Sequence, residues 1–503
     1  MRQLGKLLGM ATLAIAPLWL HAQAISPQLS VDASVTATDN GALSAPGLEQ
    51  NDFITVVRPK VVMSRRGAGL EYDLQASAAL LAYANGTQPD GVLPDVRASM
   101  KLTAVERLLY LDAAAQVYQA EADPFGIRAD ATNGANRRTA SAYRVSPYIE
   151  RELWPDTTFL ARHDAALSTN GAGVGARLVS NRSLIRLERK PVPIGAAVEL
   201  SRLEEESQGV AASRFTLDTA RLRASVALGD QLSLGAVAGV DRSNSLLSDH
   251  TDSLYGLSVQ WAPGPRTELS AELEQRFFGR AGILKFRHRM PFMSFALTMS
   301  RQPVRSSASL GLLGQGADIR GLLDAILTTR YPDPAVRSGL VDDLVASRGL
   351  DTNQQHPVDV VAEYPQLQTA SQLSWTLLGT RNTASITLYT QTLRGLTHDG
   401  DPLSLPAGAI ADSRQAGGAF QFNRRLTPQL SADAVVRWSK ITGLALRTGD
   451  VTEERSYRFS LVQNLSPRTG VSAGVQHNRF TTTVGGQHPF DATLVFVGIS
   501  HRF

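Results

Sequence analysis

The feature that most constrains this chain is a two-residue alternation of apolar and polar side chains that continues to its last residue. In the closing stretch one parity holds Val495, Val497, Ile499 and the terminal Phe503, and the other holds Gly498, Ser500 and Arg502. A β-strand with one apolar and one polar face has this period. A terminal aromatic residue on the apolar face is typical of the closing strand of an outer-membrane barrel. We therefore expect Val497, Ile499 and Phe503 to face lipid and to form the signal read by the barrel assembly machinery.

The N-terminus has the pattern of a secretory signal. Arg2 and Lys6 precede an apolar run over residues 7–20, and Ala22-Gln23-Ala24 follows as a small-x-small cleavage site. We predict that residues 1–24 are a cleaved signal peptide and that residues 25–503 form a single outer-membrane β-barrel. The expected location is the outer membrane of the cell, with outer-membrane lipid as the surrounding partner.

Composition excludes several classes of protein. The chain has no cysteine, so disulfide frameworks and thiolate metal sites are impossible. The mature sequence has no window near the roughly 18 consecutive apolar residues of a transmembrane helix, so any membrane crossing must use strands. The 50 basic and 46 acidic residues nearly balance, without a polybasic tail, and nothing indicates nucleic-acid binding. The nine histidines lack metal-ligand spacing, and we expect no cofactor.

Strand and loop lengths favour a large barrel. Long polar connections alternate with tight links such as Gly229-Asp230 and Gly264-Pro265, as in barrels with long external loops and short periplasmic turns. The pattern predicts an all-β fold, a large antiparallel transmembrane β-barrel of about 22 strands, within a range of about 18 to 24. An even number places both termini on the periplasmic side. Pro59 removes a ladder donor and predicts a bulge or weak pairing, and the stretches near Pro147 and over residues 178–203 give the weakest strand patterns.

One stretch changes period from two to about 3.6. A first apolar stripe contains Ile319, Leu322, Leu323, Ile326 and Leu327, and a second contains Val336, Leu340, Val341, Leu344 and Val345. Asp333 and Pro334 are typical of a helix start, and Gly349 of a helix end. We predict a helical hairpin within an insert over residues 305–365, placed by strand parity in an external loop. The pattern leaves open whether the insert is a plug, a constriction, a cap or a solvated decoration of the loop.

Charged residues on the polar parity of the strands are expected to line the lumen. This set contains Arg97, Lys101, Arg144, Arg186, Glu272, Glu274, Lys285, Arg287, Arg289, Arg437 and Arg458. Pairing across the turn at residues 279–282 is expected to set the two glutamates against Lys285, Arg287 and Arg289. Rings of charged side chains tune which solutes pass a channel. An arginine excess favours anionic glycans, although arginine and glutamate also brace wide barrel walls.

Four segments resemble the outer-membrane β-barrel proteins associated with exosortase (PEP-CTERM) systems. They are Asn-Asp-Phe-Ile-Thr-Val at 51–56 with Arg58-Pro59 after it, Ala-Tyr-Ala-Asn at 82–85, Leu-Leu-Tyr-Leu-Asp-Ala at 108–113, and Tyr-Pro-Asp-Pro at 331–334. The segment Ser-Arg-Gly-Leu at 347–350 departs from the family pattern. The resemblance implies a Gram-negative bacterium with exopolysaccharide or biofilm genes nearby and a role in envelope or matrix export. No catalytic residue carries over from it.

Three local motifs carry no chemistry on their own. The glycine-rich stretch 171–176 lies in an inter-strand loop without the strand-turn-helix context of a nucleotide site. His163 and Asp164 are adjacent on a strand and therefore point to opposite faces. Asp399-Gly400-Asp401 lacks the further ligands of a calcium loop.

These observations give one preferred function and two alternatives. The preferred function is a porin-like channel or export conduit, with exported polysaccharide or envelope secretion components as partners. The first alternative is an outer-membrane anchor or assembly platform whose helical loop docks a partner. An outer-membrane enzyme acting on lipid or glycan would need a converging nucleophile, base and orienting residue, which the sequence does not show, so we expect that the protein is not an enzyme.

Overall fold

The computed structural model describes residues 27–67, 69–127, 136–169, 177–208, 213–245, 249–304, 319–350, 366–396 and 412–503. Within these ranges the chain forms one antiparallel sheet of 22 strands that closes on itself. This confirms the predicted all-β barrel and its strand number. The predicted signal peptide lies outside the described residues.

The strands follow one another around the barrel in chain order. They are β1 Gln28–Thr38, β2 Asp52–Arg66, β3 Leu70–Tyr83, β4 Gly91–Val105, β5 Leu109–Glu121, β6 Arg137–Trp154, β7 Thr157–Thr169, β8 Arg177–Arg189, β9 Ile194–Gln208, β10 Ser213–Leu228, β11 Leu232–Ser245, β12 Asp249–Gly264, β13 Thr267–Arg276, β14 Gly279–Arg289, β15 Met293–Val304, β16 Gln366–Leu378, β17 Asn382–Gly395, β18 Ser413–Arg425, β19 Leu430–Gly443, β20 Val451–Asn464, β21 Thr469–Thr482 and β22 Phe490–Arg502.

The first and last strands close the barrel. Their antiparallel register runs from Ser30 opposite Arg502 to Thr38 opposite Leu494. One step beyond it, the backbone N–H of Phe503 donates to the carbonyl of Leu29 at 2.9 Å. Closure gives every strand two neighbours, which is what a sheet needs in a medium that cannot hydrogen-bond its edges.

Two prolines interrupt the hydrogen-bond ladder. Each does so with one of its two neighbouring strands and leaves the pairing with the other strand intact. The pairing of β2 with β3 passes from Val57 to Lys60 without partners for Arg58 and Pro59. The pairing of β6 with β7 likewise passes from Val145 to Tyr148 across Pro147. Proline has no N–H to donate, so the weak pairing predicted at Pro59 is present while both strands continue.

The two ends of the barrel differ in their connections. The end that holds Gln28 and Phe503, called here the termini end, joins strands by short turns such as Pro155-Asp156 and Pro265-Arg266. The opposite end, called the loop end, has most of the longer links, including residues 39–51 and 122–136. This is the predicted long-loop, short-turn alternation.

The insert between β15 and β16 contains two helices. They are α1, Ile319–Leu327, and α2, Pro334–Arg348. Helix α2 is followed by Gly349 at a φ of 65°, a left-handed conformation that favours glycine at a helix end. The predicted helical hairpin is therefore confirmed, and residues 305–318 and 351–365 of the insert lie outside the described residues. No helix in the described ranges is both long and apolar enough to cross a membrane.

The outer surface is apolar around the middle and charged towards the loop end. Leu257 and Leu273, which are cross-strand partners, are each 67% exposed on it. Near the loop end Arg455 stands opposite Arg479 on the same outer face, and Arg479 opposite Asp491. An apolar band bounded by a polar rim matches the hydrocarbon and interfacial layers of a membrane.

Charge at the C-terminal residue should impair assembly. Phe503 is 69% exposed on the outer face, and its ring packs edge-on against His501 with centroids 4.9 Å apart. We expect Phe503→Lys to reduce the folded, heat-modifiable fraction in the membrane several-fold, because a lysine there meets lipid. Ser500→Lys is the matched control, since Ser500 faces the lumen opposite Asp32. Equal folded fractions for the two variants would contradict the assignment of Phe503 to assembly.

Candidate functional site: the lumen and its internal plug

The helical hairpin lies inside the barrel near the termini end, although its chain leaves the sheet at the loop end. Leu322 of α1 packs against Ala296, a lumen-facing residue of β15. Arg289, the last residue of β14, donates to the hydroxyl of Thr329 at 2.9 Å. Asn464, the last residue of β20, donates to the carbonyl of Ser347 at 3.0 Å. Because β14 and β20 both end at the termini end, the hairpin occupies the lumen there, and we call residues 319–350 the plug.

The plug has an apolar core of its own. Ile319, Leu323, Ile326, Leu327, Val341, Val345 and Leu350 are buried together, with Leu340, Leu344 and the barrel residue Leu378 packed against them. Arg337 of α2 bonds Asp324 of α1 at 2.6 Å. The apolar stripes predicted from the sequence therefore face each other and the barrel wall, apart from Val336, which is exposed.

Arg348 anchors the plug to the barrel through neutral groups. Its guanidinium donates to the hydroxyl of Thr383 and, at 3.2 Å and 3.4 Å, to the carbonyls of Gly379 and Thr380 in the β16–β17 turn. The backbone carbonyl of Arg348 accepts from Asn423 at 2.6 Å and from Ser431 at 3.2 Å. Burial lowers the pKa of Arg348, and the neighbouring positive charge of Arg425 lowers it further.

The plug rests on a wall without charge, formed by the lumen faces of β15, β16 and β17 and called here the neutral wall. Its polar side chains are Ser294, Thr298, Ser300, Gln302, Gln366, Gln368, Gln372, Ser374, Thr376, Thr383, Ser385, Thr387 and Gln391. Most are buried, and Ser374 and Thr376 have no exposed surface. Neutral side chains lose much less free energy than ions when water is removed, so this side of the lumen can be covered.

Strands β4 to β14 form a second part of the lumen wall, which adjoins β15 and is called the charged wall. It holds ion pairs that cross several strands. Arg221 of β10 approaches Glu199 of β9 at 3.7 Å and Glu274 of β13 at 2.9 Å. Arg223 pairs with Glu272. Arg186 binds Glu199 at 2.7 Å. These contacts form one network of alternating sign.

A second pair lies nearer the loop end. Arg276 of β13 holds Asp241 of β11 through two nitrogens at 2.7 Å each, and the hydroxyl of Thr219 donates to Asp241 at 2.8 Å. Asp241 has no exposed surface. Its charge is tolerated because a two-pronged guanidinium contact and a hydroxyl satisfy the carboxylate.

Glycine on the intervening strands lets Arg221 reach Glu274. Gly239 of β11 lies opposite Arg221, and Gly256 of β12 lies opposite Glu274. A Cβ on Gly256 would stand 2.3 Å from the carbonyl of Leu273 and 2.9 Å from the side chain of Glu274. The missing side chains leave space over two strands for the ion pair.

All of the predicted lumen-lining charges lie on the lumen parity of their strands, in three environments. Arg186, Glu272 and Glu274 belong to the network. Arg97, Lys101, Arg144, Lys285 and Arg287 are exposed towards the lumen, with Arg97 3.8 Å from Asp95. Of the remaining three, Arg289 donates to Thr329 and to the carbonyl of Pro265. Arg437 is half-buried. The guanidinium of Arg458 stacks 4.6 Å from the ring of Phe496.

The predicted pairing of the two glutamates with the bases of β14 is wrong. Glu272 lies opposite Ile283 and Glu274 opposite Ala281, whereas Lys285 lies opposite Ser270. The turn between β13 and β14 consists of Phe277 and Phe278 alone. It therefore lies before the predicted turn at residues 279–282, and the register of β13 against β14 differs from the predicted one. The glutamates therefore bind arginines of β10 across two strands.

Several residues of the site were not predicted from the sequence. Arg221 and Arg223 alternate with apolar neighbours, and their parity alone could have placed them in the lumen. Arg162, which binds Asp112 at 2.9 Å and Asp164 at 2.8 Å, carries the same signal. Arg348 has no such signal, because the position of a residue in a helix does not predict which strands of the barrel that residue will contact.

Of the three local motifs, the structure describes only His163 and Asp164. His163 faces outward and lies 3.0 Å from the hydroxyl of Ser183, whereas Asp164 faces the lumen and binds Arg162. The described ranges hold no group of three His, Asp or Glu side chains suited to a metal. Residues 171–176 and 399–401 lie outside the described residues.

Comparison with known proteins identifies the fold. The FrpB iron transporter from Neisseria meningitidis is similar with a TM-score of 0.51 at 10% identity, over 95% of this chain and 81% of that chain. The siderophore receptor PirA and the outer membrane protein OpdK, both from Pseudomonas aeruginosa, match with TM-scores of 0.42 and 0.33, each at 10% identity; the matches cover 96% and 95% of this chain and 81% and 99% of theirs. The fold is that of an outer-membrane β-barrel. Neither a protein-family model nor a curated protein sequence matches the chain.

Removal of Arg221 should destabilise the barrel. The Glu274 side chain is 4% exposed, so Arg221→Ala leaves a buried carboxylate without its closest cation, at a cost of about 3 kcal/mol. We expect a lower urea midpoint by tryptophan fluorescence, with most of the loss recovered in Arg221→Ala/Glu274→Gln. Arg144→Ala, on the same wall but exposed, should change stability by less than about 0.5 kcal/mol. An unchanged midpoint for Arg221→Ala would show that the network does not support the wall.

Proposed function

We propose that the protein is a gated outer-membrane channel in which the helical hairpin acts as an internal plug. The observation that carries this proposal is the one-sided position of the plug. It packs on Ala296 of the neutral wall near the termini end, whereas Arg97, Lys101 and Arg144 on β4 and β6, across the barrel, keep exposed side chains. A narrow passage beside the plug and a wide one after its release are the two conducting states.

The termini end faces the periplasm in this proposal. A cleaved signal peptide over residues 1–24 and recognition of the closing strand by the barrel assembly machinery fit that orientation. The plug then lies at the periplasmic mouth, where a helix cannot serve as an external dock. The placement thus favours the channel over an outward-facing assembly platform.

Anionic solutes suit the passage beside the plug. Acidic residues of the charged wall such as Asp112, Glu199 and Glu272 are held in ion pairs, whereas Arg144 and Lys285 make no ion pair among the described residues. Acidic Glu150 is exposed nearer the termini end, and Glu268 is exposed opposite Arg287 on the same face. Exposed bases beside neutralised acids favour anions at mid-lumen.

The solute class we propose is anionic glycan, exported in connection with an exopolysaccharide, biofilm or PEP-CTERM/exosortase envelope system. The support for this connection is the resemblance of the segments at 51–56, 82–85, 108–113 and 331–334 to proteins of those systems. The exposed bases of the charged wall are the complementary chemistry, since arginine binds carboxylate and phosphate groups in two-pronged fashion.

Locking the plug should abolish the wide conducting state. The chain has no cysteine, so Ala296→Cys/Leu322→Cys introduces one pair, at two buried residues that pack together. In planar bilayers we expect the oxidised variant to keep the small conductance and to lose large openings, which return on reduction. Ala296→Cys alone should respond to neither treatment. Large openings in the oxidised double variant would show that the plug does not gate the lumen.

Charge reversal on the exposed wall should change ion selectivity. We expect Lys285→Glu/Arg287→Glu to lower the anion-to-cation permeability ratio several-fold, because both side chains face the passage. The reversal potential in asymmetric potassium chloride measures this ratio. Arg455→Glu, a comparable change on the outer surface, is the control and should leave it unchanged. Unaltered selectivity in the double variant would place the passage elsewhere.

A further inference from the structure

A cavity of about 540 Å³ lies at the termini end, between the plug and the barrel rim. Ile326, Leu327, Leu340 and Leu344 line it from the plug, and Phe292 and Leu378 line it from the barrel. Its size and its mainly apolar lining are those of small-molecule sites. Because its two sides belong to the plug and to the barrel, an occupant would touch both.

Among the residues that the structure describes, the charged ones that line this cavity are all basic. Arg266, Arg330 and Arg348 line it, and no aspartate or glutamate of the described ranges does. Arg348 is 8% exposed, and the groups that its guanidinium contacts are neutral ones of the β16–β17 turn and of Thr383 in β17. A buried cation without an anion is costly in free energy.

A second guanidinium reaches the same turn. Arg425 donates to the carbonyl of Thr380 at 2.8 Å, and Arg348 donates to that carbonyl at 3.4 Å. Two like charges thus share one neutral acceptor next to the cavity. An anionic group beside Arg348 would neutralise a site that the described residues leave positive.

We propose that this cavity binds an anionic amphiphile. A carboxylate or phosphate head group binds at Arg330, Arg266 and Arg348, and a short acyl or aryl body lies between Leu340, Leu344 and Phe292. The occupant enters from the aqueous mouth rather than from the bilayer, because the helices and Leu378 lie on the lumen side of the wall.

We expect the bound occupant to stabilise the plugged state, because it adds contacts between α2 and the barrel. This consequence depends on the proposed channel function, but the binding site does not. A direct binding measurement therefore distinguishes failure of the site from failure of the channel.

The test is equilibrium binding of radiolabelled decanoate to the full chain in amphipol, with uncharged 1-decanol as the chemical control. We expect saturable binding of one decanoate per chain and much weaker binding of decanol. Arg330→Gln removes a charged contact from an exposed position and should weaken binding about tenfold. Leu340→Trp fills the cavity and should abolish binding.

Arg468→Gln is the matched control, because Arg468 lies in the β20–β21 turn at the same end and does not line the cavity. It should bind like wild type. Four results would overturn the proposal: no saturable binding to wild type, equal binding of decanol, Arg330→Gln and Leu340→Trp both binding like wild type, or loss of binding in nanodiscs containing phosphatidylglycerol. The last result would assign the cavity to bilayer lipid.

Discussion

The backbone hydrogen bonds that join β1 to β22 are the constraint on which the other features depend. A sheet in hydrocarbon must pair every backbone donor and acceptor within itself, and the ladder from Ser30–Arg502 to Thr38–Leu494 removes the two remaining edges. Once the ladder is closed, alternate residues of every strand face the same side of the barrel all around its circumference. One parity meets lipid and the other meets the lumen, so the alternation along each strand becomes a division of the whole molecule into an apolar outside and a polar inside.

The inside is divided a second time by the plug. Helix α1 covers β15 and β16, where the lumen side chains are amides, hydroxyls and small residues. The end of α2 reaches β18 to β20, and its Asp343 pairs with Arg502 of β22. A wall of arginine and glutamate could not be covered at the same cost, because desolvation of an ion exceeds that of an amide by several kcal/mol. The network of ion pairs around Arg221 accordingly lies on the charged wall. Gly239 and Gly256 allow Arg221 to span two strands there.

The joint between plug and barrel combines the contacts of Arg348 with an ion pair in which Arg502 of β22 lies 3.6 Å from Asp343 of α2. Arg348 gives a positive charge to neutral acceptors, and the adjoining cavity is lined by further bases. A carboxylate beside Arg348 would strengthen the attachment of the plug to the barrel. No described lining residue is acidic, so this part of the joint is open to a mobile anion. Gating and ligand binding thereby converge on the same contacts in our proposals.

The sequence by itself determined the barrel, its strand number, the face of each predicted lumen charge and the helical hairpin. All of these follow from local periods of 2 and 3.6 and from turn residues, which act within a few positions of the chain. Only the tertiary structure decided the partners of Glu272 and Glu274 and the position of the plug. The first depends on a turn of two residues, Phe277 and Phe278, that fixes register. The second depends on contacts such as Leu322 with Ala296 and Arg348 with the β16–β17 turn, which lie between distant parts of the chain and leave no periodic trace in it.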